Sequence, residues 1–395
     1  MTTPKHNHGF TLIELMVAMV VGLATISAAY TIGSTLTQQF HEQTRISRTQ
    51  GSLRSAVEEL KRDIGRAGLF YTPRVSLESS CINTVVTLPS PSGGTTQAGG
   101  LQYFDGDDSI VDPSGVNTGV RSDTLRLMGN FVTENKFQLA GFLGNSVSRV
   151  VFDIRNQGFK DTFQTRPYAE LAVGIPEMNA LFDSVWTNTP VHIVDNDTGK
   201  HFFNFATGSG LDANNHYFVE LQNALPRDSA SCISNNLSNA TISPISFVEY
   251  KVVNPTDGSS DIDLADLTPA DNRVLVRRLI NPTSQALIGN SVSVVAEYVV
   301  NFSIGFYLEN PVTGWVFLDG SDAKDAIANN PERLRAVVVD LWVRTPKEDS
   351  RLPFVAPVGS EPITTFDVNT ASEGSARIRK VRFQVPLPSI ALRSL

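Results

Sequence analysis

The chain has 395 residues, 41% of them hydrophobic, a formal net charge of −8 and two cysteines. That length can bury one large core or two moderate ones, and abundant Pro and Gly with short Phe and Val runs favours a β-rich globular body. Residues 1–67 hold seven Lys/Arg against five Asp/Glu, so the acid excess lies in residues 68–395; this argues against a nucleic-acid surface, because neutralising phosphates needs clustered cations.

A polar leader, MTTPKHNHG, gives way to TLIELMVAMVVGLATISAAY (11–30), and Glu14 is the only charged residue between Phe10 and Phe40. As a helix, residues 10–33 span roughly 36 Å, enough to cross a bilayer core. Lys5, His6 and His8 ahead of the run favour a cytoplasmic leader. An ordinary secretory signal would cleave near Ser27-Ala28-Ala29, and a plain signal anchor would not cleave. Against both, the helical pattern continues to about Ala67, so a cut at Ala29 would halve one helix.

The stretch GFTLIELMVAMVVGL closely resembles the processing site of type IV prepilins. The resemblance implies that a prepilin peptidase cuts after Gly9, on the cytoplasmic side, and methylates Phe10 as the new N-terminus. Glu14 then becomes the fifth mature residue, where that family places its glutamate. A carboxylate among apolar helices is costly unless paired. The amine of Phe10, or of a neighbouring pilin, is its natural counter-charge, and the pair would set the register between helices.

Beyond Gln38 the pattern turns amphipathic. Leu53, Val57, Leu60, Ile64 and Ala67 form one helical stripe, and Arg45, Arg48, Arg54, Glu58, Lys61 and Arg62 lie mostly off it. Gly68 reads as the helix stop, followed by Pro73. The stretch 48–70, ending in Arg62-Asp63-Ile64-Gly65-Arg66-Ala67-Gly68, resembles minor pilins of the PilW family and J-type type II secretion pseudopilins. RSDTLRLM (121–128) resembles the PilW family's S-D-x-L strand and RKVRFQVPLPSIALRS (379–394) its closing strand and A-L-R tail; the likeness is strong over 9–70 and patchy at 121–128 and 333–345. The proline found midway along many pilin helices is missing, which leaves Gly22 and Gly33 as the weak points.

After Gly68 no long helical period is visible. Strands are predicted at Asn83–Leu88, Asp123–Met128, Val147–Ile154, His216–Leu221, Phe247–Val253, Val274–Leu279, Val292–Phe306, Leu334–Val343 and Arg377–Val385, several alternating as half-buried antiparallel strands do. Long loops are predicted over 89–119, 255–272 and 346–374, and a hairpin turn at Asp197-Thr198-Gly199. FLGNSVSRVV (142–151) and LIGNSVSVVA (287–296) share GNSVS, through either a duplicated β-unit or chance. The expected fold class is α+β and pilin-like: one long N-terminal helix whose C-terminal half packs on a large antiparallel β-sheet body. The divisions are a leader (1–9), a transmembrane and filament-core helix (10–39), an amphipathic half-helix (40–68) and a β-rich periplasmic head (69–395).

Little in the head points to chemistry. GxSxG, HExxH, GxxxxGK[ST] and GxGxxG do not occur. His192, His201 and His216 are scattered without ligand spacing. Asp105, Asp107, Asp108 and Asp112 are weak calcium candidates, as are Asp261, Asp263 and Asp266, but neither group has an EF-hand pattern; solvated loops are the simpler reading. Cys81 and Cys232 would, if exported, form a disulfide contributing about 4–5 kcal/mol, or else remain two buried thiols.

No cofactor, metal or enzymatic activity is expected. The PilW resemblance implies a minor pilin anchored in the inner membrane by a single pass, its head in the periplasm, and later sited at the pilus tip. The partners it implies are the prepilin peptidase, other minor pilins, the major pilin and a PilY-type tip protein, with twitching motility and adhesion as the associated roles. The rival readings are a type II secretion pseudopilin and a pilus-borne adhesin or DNA-uptake subunit.

Overall fold

The computed structural model describes residues 12–68, 87–89, 95–97, 100–106, 120–133, 135–143, 147–163, 176–225, 237–255, 272–280, 287–288, 291–349, 352–355, 364–368 and 374–391. The chain divides into two compact units, residues 1–51 and 52–395, and one helix, α1 (Leu12–Arg66), contributes to both.

In the first unit, α1 is apolar enough to cross a membrane: an 18-residue window has mean hydropathy 2.1 and none of it is buried in the protein. Its hydroxyls do not break that character. Thr25, Thr31, Thr35 and Thr37 each donate to the carbonyl four residues back at 2.8–2.9 Å, which hides the polar hydrogen against the backbone.

In the second unit the same helix becomes a core element. Leu53, Ala56, Leu60, Ile64 and Ala67 are buried and Val57 is partly so, as the stripe predicts. The helix ends at the expected place: Gly68 takes φ +75°, and its N–H donates to the Met128 carbonyl at 2.9 Å. A left-handed residue there suits glycine, which has no Cβ to crowd the following carbonyl.

Two five-stranded antiparallel sheets share this core. The first has the order β13 (Ser293–Ala296), β12 (Val274–Leu279), β11 (Ser246–Val253), β4 (Thr124–Gly129), β3 (Leu101–Phe104). The second has β15 (Gly314–Asp319), β14 (Val299–Asn310), β16 (Leu334–Arg344), β18 (Ala376–Pro386), β17 (Thr365–Phe366). Tyr250 of β11 bonds α1 at 2.9 Å, and Lys61 of α1 lies over Phe383 of β18 at 5.4 Å, so both sheets touch the helix. Residues 121–123 tie the sheets together: the Asp123 N–H donates to Phe302 O and the Phe302 N–H to Arg121 O, both at 2.8 Å. The Asp123 carboxylate accepts from the N–H groups of Ile304 (2.8 Å) and Gly106 (3.1 Å).

Between β4 and β11, which pair directly through Ser246 and Gly129, the chain builds a closed six-stranded barrel. Its members in order are β10 (Ala240–Pro244), β5 (Phe137–Phe142), β6 (Arg149–Phe152), β9 (Tyr217–Leu221), β8 (Lys200–Leu211) and β7 (Thr189–Asp195). Helices α2 (Gln157–Phe163) and α3 (Pro176–Trp186) supply Phe159, Phe163, Phe182 and Trp186 to a core separate from that of α1. Phe152 meets Trp186 at 4.9 Å and Phe182 meets Tyr217 at 4.8 Å between ring centroids, geometry that adds to area burial.

The helix-on-antiparallel-sheet expectation is thus met, with a barrel added that the sequence reading did not anticipate. Helices α2, α3 and α4 (Gly320–Asn329) also follow Gly68, each too short to register as a long period; a short α5 (Pro388–Ala391) precedes the C-terminus. Residues 196–199 form the expected β7–β8 turn. The predicted strand 292–306 divides at Tyr298, whose φ of +56° breaks the extended run between β13 and β14. Within 89–119, β2 (Thr95–Gln97) pairs with β1 (Thr87–Pro89), and β3 is buried through Leu101 and Tyr103. The strands that close the two similar stretches serve different structures, since β6 lies in the barrel and β13 edges the first sheet; this favours chance over duplication.

Candidate functional site

The features with functional content sit on α1. At its start, Glu14 occupies the first helical turn, where a carboxylate is favoured by the helix dipole. Gly9 and Phe10 lie outside the described residues. From Leu12 through Leu36 the large apolar side chains Leu12, Ile13, Met16, Val20, Leu23 and Ile26 are all exposed. A helix apolar all round is suited to lipid or to a bundle of similar helices, and to neither is water a good substitute.

At the other end of α1, an acid sits where the apolar stripe would place a hydrocarbon. Asp63 is 1% exposed, accepts the Tyr250 hydroxyl at 2.9 Å and takes the Arg277 Nε–H at 2.6 Å. Arg62 Nε approaches its other oxygen at 3.3 Å, and Arg277 also lies 3.8 Å from Glu59. Burial would lower the Arg277 guanidinium, but the bond and charge of Asp63 outweigh it and hold Arg277 above its ordinary value. Burial, then the Asp63 charge and hydrogen bond, push Tyr250 up. Glu59 is raised by burial, with Arg277 opposing. The cluster fixes one rotation of α1 against β11 and β12, because turning the helix would strand a carboxylate in hydrocarbon. Sequence reading passed over Asp63; its signal was an acid three residues after Leu60 and four before Ala67, on the buried face.

A second buried cluster braces the first sheet on its other face. Glu249 lies 2.6 Å from Arg126 Nη2 and 2.6 Å from Arg278 Nη2, and Glu249 and Arg126 are each 3% exposed in their side chains. Burial raises Glu249, but the two guanidiniums outweigh it and hold the carboxyl below its ordinary range.

Asp105 carries the Arg121 guanidinium at 3.3 Å and receives the Tyr103 hydroxyl at 3.3 Å, so a cation already stands at that oxygen. Asp107, Asp108, Asp112, Asp261, Asp263 and Asp266 lie outside the described residues, as do Cys81 and Cys232. Among the described residues, no group of three or more His, Cys, Asp or Glu gathers as a metal site. The scattered histidines are partly reunited: the β7–β8 hairpin brings His192 Nε2 to 3.0 Å from His201 Nδ1, and His192 stacks on Phe203 at 4.6 Å. The pairing of Val194 with His201 was the missed signal, since it puts residues 192 and 201 on one diagonal.

The prokaryotic N-terminal methylation motif matches residues 4–30. No curated protein matches the chain. Among solved structures, a type IV-like pilin from Thermus thermophilus aligns at 12% identity and a TM-score of 0.20, over 52% of this chain and 87% of that one, a slight likeness. The methylation motif, leading directly into an exposed apolar helix, supports a type IV pilin-like protein.

Proposed function

We propose that the chain is a minor pilin, an assembly subunit and not a catalyst. In this reading the prepilin peptidase cuts after Gly9 and methylates Phe10, and the apolar helix holds the protein in the inner membrane by a single pass with its head in the periplasm. The same helix then enters a bundle with other minor pilins and the major pilin, and Glu14 pairs with an N-terminal amine to set its register. A place in the pilus tip beside a PilY-type protein follows from the PilW resemblance. Cys81 and Cys232 form the one disulfide of the exported head.

The observation that carries the reading is the continuity of α1: a methylation motif at its start, apolar exposure along its first half and a locked apolar stripe at its end. A signal-type cut at Ala29 would fall inside α1, which runs unbroken from Leu12 to Arg66. The test is depletion of the peptidase in the native host. The reading predicts that unprocessed chain accumulates in the membrane and is absent from sheared pili; normal pilus incorporation without processing would overturn it.

A further inference from the structure

The outer face of the second sheet, opposite the side that buries α1, carries a polar cavity beside a row of aromatic rings. Strand register places its parts. Gly305 pairs with Asp319 on one side and Val338 on the other, while Ser303 pairs with Asp340, which pairs with Arg382. These residues, with Arg121, Ile304 and Phe317, line a cavity of about 110 Å³. Gly305 forms the floor: a Cβ there would stand 2.4 Å from the Phe317 ring, so the missing side chain is what lets that ring lie down on the sheet. Asp340 is held in place by Trp342 Nε1–H at 2.5 Å, and the Arg382 guanidinium lies over the Phe317 ring at 5.6 Å. From Phe317 the aromatic row continues to Tyr307 (5.4 Å) and on to Trp315 (6.3 Å). Trp315 is 61% exposed on an edge strand.

The composition of the cavity selects the ligand. Two guanidiniums, two carboxylates and a hydroxyl surround it. An anion would meet Asp319 and Asp340, and a cation would meet Arg121 and Arg382. A neutral ligand whose groups both donate and accept satisfies every one of them, and hydroxyls are such groups. At about 110 Å³ the space is far short of the ~300 Å³ of a whole small-molecule site. It admits the hydroxyl edge of a ring while the ring itself rests outside, on an aromatic face. Trp315 and Phe317 project from the same face of β15 about 7 Å apart, a ladder of flat apolar surfaces leading to the polar cavity.

We propose that this face binds a neutral oligosaccharide, with one sugar stacked on Trp315 and Tyr307 and the hydroxyl edge of the next entering the cavity between Asp319, Asp340 and Arg382. The site uses head residues alone, so it stands or falls apart from pilus assembly.

The test uses the full chain in lipid nanodiscs, free of sugar-based detergent, titrated with cellohexaose, chitohexaose, maltohexaose and mannohexaose by calorimetry and tryptophan fluorescence. The proposal expects at least one hexasaccharide to bind with Kd below about 1 mM. It expects Trp315→Ala and, independently, Asp340→Asn to weaken that binding at least about tenfold. Val312→Ala, at the exposed hairpin tip, should leave it unchanged. Three results overturn it: no binding of any of the four at about 10 mM, equal binding in both site variants, or selective binding of a sulfated hexasaccharide or an extended peptide in place of the neutral sugars.

Discussion

Removing one partner of the Asp63–Arg277 pair should loosen α1 from the first sheet, and the two removals should not cost the same. Asp63 is 1% exposed in its side chain and Arg277 is 19% exposed. Breaking a buried pair costs about 3–5 kcal/mol, mostly the penalty of the charge left behind. Asp63→Ala leaves Arg277, which keeps partial solvent and Glu59 at 3.8 Å, and strands the Tyr250 hydroxyl; about 3 kcal/mol is expected. Arg277→Met leaves a carboxylate that water cannot reach, with only Tyr250 and the peripheral Arg62, so about 4–5 kcal/mol is expected. In the double variant Asp63→Leu/Arg277→Met neither charge remains, and the loss should fall at least ~2 kcal/mol below the sum of the singles. Urea unfolding of the full-length protein by near-UV circular dichroism gives the totals, and hydrogen exchange of the 52–66 amides shows whether the loss is local to the helix. Single variants within ~0.5 kcal/mol of the parent, or costs that simply add in the double variant, would refute the reasoning.

Three further outcomes follow. Gly68→Ala must place a Cβ at φ +75° and 2.7 Å from Ile390 Cγ1, so a loss of about 2 kcal/mol in thermal or urea unfolding is expected. Glu249 titrates below its ordinary 4.5 in the folded state, so its contribution is complete above about pH 4.5 and is lost as pH falls through the lower folded value. Glu249→Gln should therefore flatten that part of the acid limb in a stability–pH series; Glu59, Asp123 and Asp340, all raised by burial, contribute with the opposite sign. Glu14→Ala should still be processed but join filaments poorly, read as its ratio in sheared pili to that in membranes; an unchanged ratio would remove the register role.

The helix was legible because its signals are local. Leu53, Leu60, Ile64 and Ala67 recur at helical spacing, and Gly68 stops them, within one continuous stretch. Strands such as β11, β12 and β16 were legible for the same reason, their apolar residues clustering in runs bounded by turns. The barrel was not, because closure depends on which distant strands pair, and β10 joins β5 across some hundred residues of chain. β8 escaped because Ala206, Gly208 and Gly210 weaken a strand's propensity, and only pairing with β7 and β9 holds it extended. In α3, Met178, Phe182, Val185 and Trp186 do carry a helical stripe, but eleven residues are easily absorbed into a β-rich reading. The Asp63 cluster and the Gly305 cavity were hidden more deeply, since each is assembled from residues over seventy positions apart that only the folded sheets bring together.

The position at which the mature chain begins separates a processed pilin-like chain from a signal-cleaved or uncleaved one. Intact mass and fragmentation of the N-terminal peptide from protein purified out of its native membranes or pili should give a chain starting at a methylated Phe10. A start at Met1, or at Tyr30 after a signal-type cut, would contradict it.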